Sequence, residues 1–207
     1  MIVDTMSWEE VTSYYRKLKK TFEANPKFLR TLKSFRPDRF RKAEDGIIFN
    51  GLKKLELENN DTLYISLFLY SNTLESMFQF FCKFLYRRKE YIVYFLSDGD
   101  VVFFSFHSIS RYLERYYKFV DKSLPISVYD IAKMLAWNGG LSYKICDDNN
   151  ILGSCRDGFF FGNNRNKCLI FNTFVTKEML YPDQKVVDAE LMSLLRWKFK
   201  LEFHQDI

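Results

Sequence analysis

Histidine is the side chain whose ordinary pKa lies nearest neutrality, and this chain of 207 residues has two, His107 and His204. His107 stands in the stretch Phe106-His107-Ser108-Ile109-Ser110-Arg111-Tyr112-Leu113-Glu114-Arg115-Tyr116-Tyr117-Lys118. On a helix, spacings of four, three and four residues place His107, Arg111, Glu114 and Lys118 on one face, with Arg115 at its edge. Tyr112, Leu113 and Tyr116 then point toward a sheet. A histidine in the first turn feels the positive end of the helix dipole, which favours the neutral imidazole that can act as a base. Nearby guanidiniums act in the same direction.

Such a group suits RNA cleavage. A base takes the ribose 2′-hydroxyl proton, cations stabilise the crowded phosphorane, and an acid protonates the departing 5′-oxygen. In that chemistry His107 is the base or acid, and Arg111 and Arg115 are phosphate clamps. Glu114 orients Arg111 or carries a second proton. Thr173 and Thr176, at the end of a late strand, offer hydroxyls to a phosphate, and Arg156 in the loop Arg156-Asp157-Gly158 offers another guanidinium. The reaction needs no metal, and the chain shows no cofactor signature. The competing reading of the same spacing is an amphipathic helix whose charges sit in water while its tyrosines pack.

The order of a helix with H-x-x-x-R-x-x-E-R, a further helix, antiparallel strands and a final Thr-bearing strand resembles the RelE, colicin-nuclease, barnase and EndoU-like superfamily of metal-independent RNases. The resemblance covers Phe106 to Thr176 and puts His107, Arg111, Arg115 and Thr173 or Thr176 at the motif positions. It implies a metal-independent endoribonuclease of bacterial or phage type. A hairpin and the basic N-terminal helices precede the motif here, where the family commonly carries its histidine helix near the domain start.

The elements that must position these residues are legible in part. Ser7 with Glu10 makes a capping box for a helix over Trp8 to Ala24, and Pro26 starts a second one to about Phe35. Pro37 breaks it before Arg39 to Ala43. Asp45-Gly46 turns into Ile47-Ile48-Phe49, and Glu58 to Asp61 is a polar loop. Leu63 to Tyr86 is aromatic and apolar but interrupted by Asn72, Glu75, Gln79 and Lys83, which predicts a long buried helix rather than a membrane span. Glu90 to Leu96 and Val101 to Phe106 form a hairpin about Asp98-Gly99. Pro125 to Trp137 is another helix, ended by Asn138-Gly139-Gly140. Strands are expected over Leu141 to Cys146, Gly153 to Gly162 and Lys167 to Val175, with a last helix over Asp188 to Lys198. The predicted class is α+β: N-terminal helices, a β-hairpin, then helices packed on an antiparallel sheet. Residues 1–60 form a basic helical region and 61–207 the α+β core.

Lys and Arg outnumber Asp and Glu by 31 to 26, a modest excess that is concentrated near the N-terminus. From Arg16 to Lys42 the cations are Arg16, Lys17, Lys19, Lys20, Lys27, Arg30, Lys33, Arg36, Arg39, Arg41 and Lys42, opposed by Glu23 and Asp38. Such a block can track a phosphate backbone or simply line a solvated helical face. Arg16, Lys20, Arg30, Arg36, Arg39, Lys118 and Arg156 are therefore the candidate nucleic-acid contacts. Cys82, Cys146, Cys155 and Cys168 lack the spacing of a zinc site and read as reduced thiols. With no basic-then-apolar leader at Met1 to Thr5, a cytoplasmic setting without membrane attachment is expected. Two functions follow: an RNase-like domain that binds or cleaves RNA, and a non-enzymatic inhibitor, immunity or phage accessory factor that holds a protein or nucleic acid.

Overall fold

A computed structural model describes residues 2–35, 47–70, 76–116, 126–138, 142–146, 149–155, 157–165 and 168–182, without the side chains of 47–50, 69–70, 116, 137–138 and 142. Arg36, Arg39, Lys118, Arg156 and the expected segments Arg39 to Ala43 and Asp188 to Lys198 lie outside the described residues.

The capping box forms as the spacing predicts. The Glu10 N–H donates to Ser7 Oγ at 3.2 Å, and the Ser7 N–H donates to the Glu10 carboxylate at 2.7 Å. This starts α1 (Trp8–Glu23), whose buried face carries Val11, Tyr15, Leu18 and Phe22. Asn25 accepts from the Lys27 N–H at 2.8 Å and begins α2 (Pro26–Lys33), which buries only Phe28 and leaves Lys27 and Arg30 in solvent.

Five strands follow: β1 (Ile47–Glu56), β2 (Thr62–Tyr70), β3 (Ser76–Tyr86), β4 (Lys89–Phe95) and β5 (Val101–Ser105). Then come α3 (Phe106–Tyr116), α4 (Val128–Asn138), β6 (Ser142–Ile145), β7 (Asn150–Cys155), β8 (Gly158–Arg165) and β9 (Cys168–Thr176). They make one nine-stranded sheet in the order β1-β2-β3-β4-β5-β9-β8-β7-β6. Every neighbouring pair is antiparallel except β5 and β9. A parallel pair cannot be joined by a tight turn, so α3, α4 and the second meander serve as the crossover. The class is α+β, as expected, and the sheet begins at β1.

Two expectations, one of a helix and one of a strand, are corrected. Leu63 to Tyr86 is not a helix but β2 and β3, paired from Leu63 with Cys82 to Leu69 with Ser76. Gln79 and Lys83 are four residues apart, a helical repeat that is also an even number, so the same spacing puts both on one side of a strand. The density of aromatic residues favours the strand, and alternate residues serve opposite layers: Leu63, Ile65 and Leu67 pack under α1 and α2, Tyr64 and Phe81 under α3 and α4. Likewise Gly153 to Gly162 is not one strand. The chain turns at Asp157, so β7 and β8 pair antiparallel.

Each face of the sheet buries its own apolar layer. Under α1 and α2, Tyr15 and Phe22 meet Phe84, Phe95 and Phe103, with Tyr15 and Phe84 ring centroids 5.0 Å apart. Under α3 and α4, Ile109, Tyr112, Ile131 and Leu135 meet Phe81, Phe104, Phe160 and Phe171. Polar groups fix α1 over the β4–β5 turn. Arg16 Nη2 lies 2.6 Å from the Asp100 carboxylate, and Lys19, 6% exposed, donates to the Leu96 carbonyl. Arg16, a candidate phosphate contact, is thus engaged inside the protein, whereas Lys20 and Arg30 are exposed.

Candidate nucleic-acid interface

The His107 helix grows directly from the end of β5. Ser105 Oγ accepts from the Ser108 N–H at 3.2 Å and donates to the Asn172 carbonyl at 3.1 Å, capping α3 while fastening it to β9. His107 is exposed in the first turn and has no ion-pair partner among the described residues. Arg111 Nη1 pairs with Glu114 at 3.0 Å. Tyr112, fully buried, donates its hydroxyl to Asp157 at 2.7 Å.

Arg115 does something the spacing did not suggest. The last β5–β9 pair is Phe104 with Phe171, but β9 runs on to Thr176, so its edge carbonyls beyond that point have no strand partner. Ser105 takes the one at Asn172, and the Arg115 guanidinium donates to the one at Phe174. Arg115 is thereby brought onto the strand that carries Thr176, two residues beyond its acceptor, while Arg111 and Glu114 satisfy each other and His107 stands about two turns from Arg115. A buried carbonyl left unsatisfied costs about 1–3 kcal/mol. Arg115→Ala is accordingly expected to lower stability by about that amount in urea unfolding, with Arg115→Lys recovering part of it. An unchanged midpoint for Arg115→Ala would count against the edge-capping role.

A different set of cations converges on the opposite face. Trp8 at the start of α1, Tyr86 and Arg87 at the β3–β4 turn, Lys89 and Tyr91 on β4, Asn163 and Arg165 on β8, and Ile170 and Asn172 on β9 line a cleft of about 260 Å³. Asn163 and Arg165 stand directly across from Ile170 and Cys168, which belong to the α1 layer, so all these side chains share that face. Among the described residues no carboxylate lines the cleft, while the Asp4 carboxylate accepts from the Arg87 backbone N–H at 2.6 Å. Lys89 and Arg165 are exposed and have no ion-pair partner among the described residues.

The cleft's parts are held from behind. Trp8 packs edge-on against Tyr86 and Tyr91, with centroids 4.8 and 5.0 Å away. The Tyr86 hydroxyl donates to the Met6 carbonyl. Arg87 donates to the Asp4 and Met6 carbonyls at 3.2 and 3.3 Å, using part of its five-donor fork, and its guanidinium lies over the Tyr86 ring at 4.9 Å. Asn172 Nδ2 donates to Asn163 Oδ1 at 2.8 Å, and Asn163 Nδ2 to Asn150 Oδ1 at 3.2 Å, a carboxamide ladder across β9, β8 and β7. Asn172 is the extra residue of a bulge, since Phe161 pairs with Thr173 but Gly162 with Phe171. Bulges of this kind re-aim a side chain. Burial raises the Tyr91 hydroxyl's pKa, against which the Arg165 charge pulls it down.

The turn between β3 and β4 carries strain. Arg87 and Arg88 have φ of 48° and 62°, left-handed values that cost a side chain about 1–2 kcal/mol per residue. Two-residue hairpins of this geometry favour Asn-Gly. Strain held at a cationic tip beside a cleft points to a use for the arginines. Arg88→Gly is expected to raise stability by about 1 kcal/mol by relieving it, read as a higher unfolding midpoint, and a lower midpoint would show that Arg88 is not strained.

Sequence reasoning missed this site because its cations come from two separate segments, Arg87 to Lys89 and Arg165. Asn163-Asn164-Arg165 falls in the gap between the strands expected over Gly153 to Gly162 and Lys167 to Val175, and Arg87-Arg88 lacks the glycine that marks a hairpin. The available signal was Arg87-Arg88-Lys89 sitting between two aromatic runs.

Among the described residues no group of three His, Cys, Asp or Glu could hold a metal ion. Burial pushes the Cys155 thiol up to about 12 and Cys168 to about 11, so both stay protonated. No described helix is long and apolar enough to cross a membrane. Compared with known proteins, the chain matches no family model, no curated protein and no solved structure.

Proposed function

We propose that this protein binds nucleic acid, RNA foremost, through the cleft between α1 and strands β4, β8 and β9. The observation that carries the reading is the convergence of Arg87, Lys89 and Arg165 on a cleft that, among the described residues, no carboxylate lines. Guanidiniums and ammonium are the groups that meet phosphate, carboxamides meet base edges, and exposed aromatic surface receives unstacked bases. Exposed Lys20 and Arg30 would add sequence-independent phosphate contacts. A cytoplasmic setting fits such a ligand.

The RNase reading, with its resemblance to the RelE, colicin-nuclease, barnase and EndoU-like enzymes, rests on His107. Its intended phosphate clamps are occupied, Arg111 by Glu114 and Arg115 by the Phe174 carbonyl, which favours binding over cleavage. The deciding experiment is incubation of a labelled single-stranded RNA with excess protein and chelator, followed by both gel analysis and fluorescence anisotropy. Expected are intact RNA, salt-sensitive binding, and the same affinity for His107→Ala. Cleavage abolished by His107→Ala would establish the enzyme instead, and absence of binding at low salt would sink the nucleic-acid reading.

A further inference from the structure

Within the nucleic-acid reading, on which this step rests, the cleft's charge and size narrow the ligand. Three cations face one space that no carboxylate among the described residues lines. An internal phosphodiester brings one negative charge and two free oxygens, too few for two guanidiniums and an ammonium. A terminal phosphomonoester brings a charge of about −1.5 to −2 and three acceptor oxygens. Arg87 is pre-oriented by the Asp4 and Met6 carbonyls, and Lys89 and Arg165 are unengaged by carboxylates, so the three can take separate oxygens of one phosphate.

Size acts in the same direction. At about 260 Å³ the cleft falls below the roughly 300–1,000 Å³ of pockets for drug-sized ligands. It has room for a phosphate and part of the nucleotide that carries it, not for a run of nucleotides. Half-buried Trp8 and Tyr91 give an aromatic wall. The Asn172 carboxamide spends one N–H on Asn163, which leaves an acceptor and a donor side by side, the pairing that reads a base edge.

We infer that the cleft is a site for a single nucleotide unit carrying a terminal phosphomonoester. Two sources share that chemistry, the phosphorylated end of an RNA chain and a free nucleoside monophosphate. The test compares one short RNA made with a 5′-phosphate, with a 3′-phosphate and with hydroxyls at both ends, alongside adenosine monophosphate, all by calorimetry on the full chain. Expected is binding about tenfold or more tighter for one phosphorylated end than for the hydroxyl-ended RNA. Arg165→Gln should erase that preference, so that the phosphorylated and hydroxyl-ended RNAs bind the variant with equal, lowered affinity. Equal affinity of all three RNAs would overturn the inference yet leave nucleic-acid binding standing. Adenosine monophosphate bound with the same Arg165 dependence, and no RNA bound, would support the phosphomonoester site and overturn the RNA reading. Failure of every probe would overturn both.

Discussion

Reversing two charges with Lys89→Glu and Arg165→Glu is expected to weaken RNA binding about a hundredfold or more at low salt, the largest effect of any surface change in this protein. Each lost charge-assisted contact is worth about 1.5–3 kcal/mol, and each introduced carboxylate repels the phosphate it replaces attraction for. The salt dependence moves as well. Affinity for single strands falls with log salt by about 0.7 per neutralised phosphate charge, so losing two contacts should flatten the slope by roughly 1.4. Stability should hardly change, because both side chains are exposed and form no ion pair among the described residues. Anisotropy titrations at several salt concentrations, with urea unfolding as the control, read all three quantities. A double variant that folds normally and binds RNA with undiminished affinity and slope would remove the cleft from consideration. The corresponding reversal at Arg111, already neutralised by Glu114 3.0 Å away, is expected to matter far less.

That contrast shows which parts of the molecule local sequence can reveal. The capping box at Ser7 and Glu10, the proline at the start of α2 and the Asp-Gly hairpin act within a few residues, and each appears where its chemistry places it. The His107 helix was legible for the same reason. That Tyr112 and Leu113 face a sheet was legible too, but which strands they meet was not. Arg115 looks like a phosphate clamp on a helical wheel, but its role follows from β9 outrunning β5, a mismatch between strands some 60 residues apart in sequence. The β2–β3 hairpin was hidden because a polar spacing of four satisfies a helix and a strand alike, and because both of its faces are covered, so burial does not alternate cleanly along it.

The cleft was the least legible part because its assembly depends on the single parallel pair. Placing β9 beside β5 sets Asn172 near Ser105, while Tyr91 pairs with Ser105 from the other side. Residues from 86–91 and 163–172 therefore meet only once the crossover is complete. Function on this face and packing on the other share one strand, since Ile170 lines the cleft and Phe171 enters the layer under α3. Changes to β9 should thus move stability and binding together.

Gly162→Ala is expected to show that coupling most strongly. A β-carbon at Gly162 would lie 1.9 Å from the Ile170 carbonyl oxygen and 2.8 Å from the Phe171 α-carbon, both backbone atoms that no rotamer change can withdraw. Room could come only from prying β8 away from β9 at the bulge where Asn172 is the extra residue. That breaks ladder hydrogen bonds and opens both apolar layers, for a loss of about 3 kcal/mol or more. Because Asn163 and Asn172 flank the same point, RNA affinity should fall in any folded fraction. Gly99→Ala is the control for conformation alone. Gly99 sits at φ 93° with nothing near the added carbon, so its cost should be about 1–2 kcal/mol of backbone strain with no change in binding. If Gly162→Ala proves too unstable to purify, Asn172→Ala keeps the backbone and still removes one rung of the ladder, and its affinity reports the cleft directly. Equal losses for Gly162→Ala and Gly99→Ala, with binding intact in both, would mean that the close approach of β8 and β9 does not hold the cleft in shape.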